Sequence, residues 1–137
     1  MGIITETDNG FTYTFPASFT EIDAVCEKVT SLLSDRDLSR HIFGVILVIR
    51  EALTNAVRHG SGHGSGREVV FSVDLRENVL RIKVTDQGSG FDWRAQQDRP
   101  FIGPANNGRG MEIFKMYSDI VSFNEKGNEI KFIIFTD

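Results

Sequence analysis

Glu51 and Asn55 stand one helical turn apart, so a carboxylate and an amide project from the same helix face. They close a long helical pattern that begins near Asp37 and ends near His59-Gly60. Within it Ile42, Val45, Ile46, Ile49, Leu53 and Ala56 recur at helical spacing and mark a core stripe. The roughly opposite face carries Gly44, Leu47 and Val48 upstream of the polar pair, so both sides are apolar and the helix is expected to be sandwiched. In an enclosed place a carboxylate and an amide need partners, and a bound ligand with a metal ion can supply them. The competing reading is plain: a Glu and an Asn near a helix end are most often simply solvated.

Two glycine-bearing stretches bear on that choice. Asp86-Gln87-Gly88-Ser89-Gly90 follows the alternating run Leu80, Ile82, Val84, which reads as a strand. Asp and Gly are favoured in ordinary turns. They also suit a ligand site, where glycines admit close approach of the backbone and a carboxylate accepts from a ligand amino group. Gly108-Arg109-Gly110 opens a helix running to about Tyr117. Backbone N–H groups at such an end, with Arg109 beside them, form a ready anion site. The run from Gly60 to Gly66 follows a helix rather than a strand, so it reads as a connector, not a phosphate loop. His59 and His63 lack an accompanying Cys or carboxylate cluster and His41 is remote, which argues against zinc.

The elements that must hold these residues are few. The chain has 137 residues, 40% of them hydrophobic, enough for one domain over residues 1–137 with a real core. Phe11 to Phe15 reads as a strand ending at Pro16. Ser18 and Glu21 have capping-box spacing and open a helix through about Leu33, on which Cys26 falls among core positions with Ile22, Val25 and Val29. Val69, Phe71, Val73 and Leu75 form a hairpin with the next strand through Arg76–Asn78, and Ile120–Asn124 pairs with Ile130–Phe135 around Lys126-Gly127-Asn128. The segment from about 92 to 107 shows no periodicity and is long enough to be a lid. Five strands and three amphipathic helices imply an α+β fold, a single mixed or antiparallel sheet covered by helices on one face. A net charge of −4 argues against nucleic-acid or anionic-membrane surfaces. With no membrane-length apolar run and no signal-peptide pattern, the reading is a soluble, cytoplasmic protein.

Together, Glu51-Ala52-Leu53-Thr54-Asn55-Ala56, Asp86-Gln87-Gly88-Ser89-Gly90 and Gly108-Arg109-Gly110-Met111 resemble the N, G1 and G2 boxes of the histidine-kinase-like (Bergerat-fold, GHKL) ATPases. Length and element order are most similar to the compact anti-sigma-factor serine/threonine kinase branch. The resemblance implies ATP and Mg²⁺ as cofactors. By it Asn55 would ligate the metal, Glu51 would serve as general base, and Asp86 would accept from the adenine amino group. Gly88, Gly90, Gly108 and Gly110 would allow close approach to the nucleotide, with Arg58, Arg109 and Asn128 as further contacts. It also implies a STAS-domain anti-sigma-factor antagonist as phosphorylation substrate, a sigma factor as sequestered partner, and a homodimer as the common assembly. An alternative within this resemblance is a nucleotide-gated binding module with little kinase activity. The chain departs from the family in two places. Gly127-Asn128 stands where Gly-Thr is usual, which predicts weakened adenine recognition, and Glu112 replaces a small or apolar residue near the phosphates.

Overall fold

The computed structural model describes residues 2–61, 67–88 and 109–137. In chain order these form β1 (Ile3–Thr7), β2 (Gly10–Pro16), α1 (Ile22–Asp35), α2 (Ile42–Ser61), β3 (Glu68–Arg76), β4 (Val79–Asp86), α3 (Arg109–Tyr117), β5 (Ile120–Phe123) and β6 (Glu129–Phe135), with 3₁₀ turns at Phe19–Glu21 and Ser39–His41. The strands make one antiparallel sheet in the order β1-β2-β3-β4-β6-β5. The fold class is therefore α+β, with helices on one face of the sheet. Among the described residues no helix is long and apolar enough to cross a membrane.

The period-2 pattern places the strands as expected. Val69, Phe71, Val73 and Leu75 of β3 and Leu80, Ile82 and Val84 of β4 are buried beneath the helices. The alternate residues Arg81, Lys83 and Lys131 are exposed or half-buried. Glu77 and Asn78 turn the β3–β4 hairpin with φ of 50° and 65°, the left-handed pair a tight hairpin demands. β1 is the strand that the pattern did not announce. All five of its residues are exposed, so no buried face imposes alternation. Its placement comes from the hairpin with β2, from Ile3↔Thr14 to Thr7↔Gly10.

α2 is the sandwiched helix. Val45, Val48, Ile49, Ala52, Leu53, Ala56 and Val57 are all buried, and the helix packs on α1, α3, β3 and β4. Its many β-branched residues cost up to about 0.7 kcal/mol each in helix propensity. Burial of each large apolar side chain contributes roughly 1.5–3 kcal/mol, so packing decides the conformation. Gly44 makes the α2–α3 approach: a Cβ there would lie 2.6 Å from Tyr117 Cδ1.

The expected capping box does not form. Ser18 Oγ accepts from the Thr20 amide at 3.4 Å, and the Glu21 carboxylate instead receives the Tyr13 hydroxyl. A phenol arriving from β2 outcompetes the local backbone N–H, and α1 starts at Ile22. Cys26 is a core thiol, and burial raises its pKa above the ordinary value.

Candidate functional site

A cavity of about 310 Å³ opens between the C-terminal half of α2, the start of α3 and the adjoining ends of β4 and β6. Helix periodicity sends Glu51, Asn55 and Arg58 into its lining from α2, and His59 follows Asn55 at the i+4 position. Asp86, the last residue of β4, faces them from the sheet, and Gly110 of α3, Gly127 and Asn128 before β6 and Glu129 at its start also line the cavity. Ala52, Ala56, Val84, Met111, Phe114, Phe123 and Ile130 make the apolar remainder. Glu51 and Asn55 are half-buried in the cavity wall. Arg58 is exposed and sits at the rim.

Gly110 explains how α3 reaches the polar pair. A Cβ at that position would lie 3.1 Å from Glu51 Oε2 and 3.5 Å from Asn55 Nδ2. A side chain there would push the Glu51 carboxylate back by a few tenths of an ångström from its present place beside the first turn of α3, while the Asn55 amide lies at ordinary contact distance. The N–H groups of that turn have no partner within the helix and mark the positive end of its dipole. A half-turn of the Asn55 amide exchanges Nδ2 and Oδ1, so either a donor or a metal-ligating oxygen can face the cavity.

Gly88 plays a similar part on the sheet side. Its N–H donates to Asp86 Oδ1 at 2.7 Å, and a Cβ would meet that oxygen at 2.9 Å and the His59 carbonyl oxygen at 3.1 Å. Asp86 is 7% exposed. Burial raises its pKa above the usual carboxylate value, while the Gly88 amide and the positive potential of His59, Lys126 and Arg67 pull the other way. Its backbone is tied to Asn128 twice: the Asp86 N–H donates to the Asn128 carbonyl at 2.9 Å, and Asn128 Nδ2 donates to the Asp86 carbonyl at 2.8 Å. The Asn128 side chain, read from the sequence as a nucleotide contact, thus holds the strand end that carries Asp86.

Among the described residues no group of three or more His, Cys, Asp or Glu side chains could hold a metal by itself. Mg²⁺ is commonly bound by one or two protein groups with phosphates and water supplying the rest. The donor set here, one amide and one carboxylate beside the close approach of Gly110, fits that mode. Gly90, Gly108 and the segment from about 92 to 107 expected as a lid lie outside the described residues; Arg109 is the first residue of α3. Glu112 is exposed in the next position but one after Gly110 and is not among the lining residues. Sequence reasoning missed His59 as a lining residue, although its spacing from Asn55 carried the signal. It also missed Asn124, which reaches the site through Asn128.

Comparison with known proteins agrees with this geometry. The Serine-protein kinase RsbW of Listeria innocua serovar 6a and that of Listeria monocytogenes serovar 1/2a are each 27% identical over 70 residues, 51% of this chain and 43% of the relative. The match thus spans less than half the length of these curated relatives. The model of the histidine kinase-like ATPase domain matches residues 15–134, from the end of β2 to the end of β6. The three boxes fall within that span, their residues Glu51, Asn55, Asp86 and Gly110 line one cavity, and the chain belongs to the histidine kinase-like ATPase domain family.

Proposed function

We propose that this protein is an ATP-dependent serine/threonine kinase and anti-sigma factor: it phosphorylates a STAS-domain antagonist and, when the antagonist is phosphorylated and released, holds a sigma factor. The observation that carries the reading is the convergence of Glu51, Asn55, Asp86 and Gly110 on one cavity. Asp86 accepts from the adenine amino group, and its ionised form is the competent acceptor. Asn55 holds Mg²⁺ together with the phosphates, and the start of α3 receives phosphate oxygens. Bound there, Mg²⁺ neutralises charge on the phosphates, the main demand of phosphoryl transfer. Glu51 orients the acceptor serine hydroxyl and takes its proton. By the family resemblance Gly88, Gly90, Gly108, Arg109 and Arg58 are assigned to nucleotide binding. The reading treats residues 1–137 as one ATPase domain with a candidate lid at about 92–107, working in the cytoplasm, with the oligomeric state left open.

Glu51 separates this reading from a nucleotide-gated binder, because capture of a partner needs Asn55 and Asp86 but no base. The test is a pull-down from source lysate with and without ATP and Mg²⁺, followed by phosphosite mapping of the retained proteins. A phosphoserine on a small retained partner is expected, with transfer reduced about 10²- to 10⁴-fold in Glu51→Gln while ATP still binds. Partner capture that depends on ATP but yields no phosphoprotein would overturn the kinase in favour of the binder. Capture indifferent to ATP would overturn both.

A further inference from the structure

The ladder between β4 and β6 ends at Thr85↔Glu129. Asp86 lies one residue beyond on the β6 side, while its other edge stays in the β3–β4 ladder opposite Val69. It is held by Asn128, and Asn128 is in turn held by Asn124, a residue that does not line the cavity. Asn124 Oδ1 accepts from three successive amides, those of Gly127 at 2.8 Å, Asn128 at 3.1 Å and Glu129 at 3.2 Å. Gly127, with φ of 82°, supplies the left-handed bend that lets the amides converge. With Oδ1 so engaged, the amide can turn only its Nδ2 to Asn128, and it donates to Asn128 Oδ1 at 2.7 Å. An accepting Oδ1 obliges Asn128 to present Nδ2 on its other side, where it meets the Asp86 carbonyl at 2.8 Å. The turn between β5 and β6 therefore fixes, through two side-chain amides, the direction of every hydrogen bond up to Asp86.

We propose that Asn124 is a positioning residue for base selection, holding Asp86 in register with the adenine amino group through Asn128. The proposal rests on the nucleotide reading given above. It replaces a direct contact of Asn128 with the base by a relay in which the donor of Asn124 decides which end of the Asn128 amide faces Asp86.

Asn124→Asp isolates the relay from the turn. A carboxylate still accepts from the three backbone amides but has no hydrogen to give Asn128. The Asn128 amide then turns over to donate to the new carboxylate, leaving its own oxygen against the Asp86 carbonyl. The readout is the ratio of affinities, by calorimetry, for ATP and for purine riboside triphosphate, which lacks the 6-amino group. The added charge weakens both triphosphates alike, so it cancels in the ratio. A hydrogen bond to a carboxylate sets the wild-type ratio at about tenfold to a hundredfold. In Asn124→Asp the ratio is expected to fall to about threefold or less with the thermal midpoint kept. Asn124→Ala, which also removes the acceptor for the turn, is expected to lose both the ratio and some stability. An Asn124→Asp protein that keeps the wild-type ratio overturns the relay and leaves the nucleotide reading standing. A wild-type protein that binds neither triphosphate, or does not prefer ATP, overturns that reading itself and the relay with it.

Discussion

Gly110→Ala puts the smallest possible intrusion into the proposed reaction centre. The added Cβ would lie 3.1 Å from Glu51 Oε2, 3.4 Å from Glu51 Cγ and 3.5 Å from Asn55 Nδ2. Only the first is closer than ordinary van der Waals contact, so the Glu51 carboxylate must withdraw by a few tenths of an ångström. A misplacement of about 1 Å can cost about 10²-fold in rate, so a third of that costs roughly fivefold when scaled logarithmically. Gly110→Val adds two more carbons on the same side and is expected to approach the full hundredfold loss. Stability should move the other way in the alanine variant. Ala is favoured over Gly by up to about 1 kcal/mol inside a helix, Gly110 has no positive φ that would strain it, and half-buried Glu51 can yield without disturbing the core. The assay pairs thermal unfolding with single-turnover transfer from γ-labelled ATP to the partner recovered in the pull-down. An equal or higher midpoint with a graded fall in transfer, alanine before valine, is expected. Unchanged transfer in both variants would refute the placement of Glu51 at the reacting group. A fall in transfer that simply tracked lost stability would refute the geometric argument.

Three further perturbations follow from the same geometry. Asn55→Ala should abolish the Mg²⁺-dependent part of ATP affinity, and titrations showing equal affinity with and without the metal in wild type would count against the metal role. Asp86→Asn should stabilise the ligand-free protein at neutral pH, because burial raises the Asp86 pKa and so favours its neutral form. The sign follows from linkage: the Asp86 term is present below the unfolded-state value and is lost as pH rises through the higher folded-state value. The gap between variant and wild type in denaturant midpoints should therefore close as pH falls through that interval, and a gap independent of pH would contradict it. Gly44→Ala drives a methyl into the Tyr117 ring, 2.6 Å from Cδ1, and should cost about 1–3 kcal/mol as overpacking. Combination with Tyr117→Ala should relieve that cost, and strict additivity in denaturant titrations would show that the two do not meet.

The elements legible in the sequence were those with one buried face. β3, β4 and β6 each carry an apolar stripe at the period of their own structure, because each meets the core on one side, and the sandwiched α2 keeps the helical period in its buried positions. β1 buries no residue on either face and so left no periodic trace. The capping box was misread for a different reason. Ser18 and Glu21 have the right types and spacing, but local spacing says nothing of Tyr13, which reaches Glu21 across eight residues of sequence. Competition between a local and a tertiary partner is decided in three dimensions.

The site divides along the same line. Glu51, Asn55 and Asp86 were visible because a carboxylate or an amide inside an otherwise apolar pattern conflicts with burial unless something binds it. Gly110 carried a signal of type but not of consequence, since its meaning is a distance to Glu51 on another helix. Asn124 and Asn128 look like ordinary turn residues around Gly127, and their role appears only when the end of β4 is seen to rely on them. The division has a physical basis. Residues that meet the ligand break the pattern of the element carrying them, whereas residues that position those groups obey the local rules of their own turn. A substitution at Asn124 that respects turn chemistry should then leave folding untouched and still change which base the protein prefers, because the acceptor that closes the turn and the donor that orients Asn128 are two atoms of one amide.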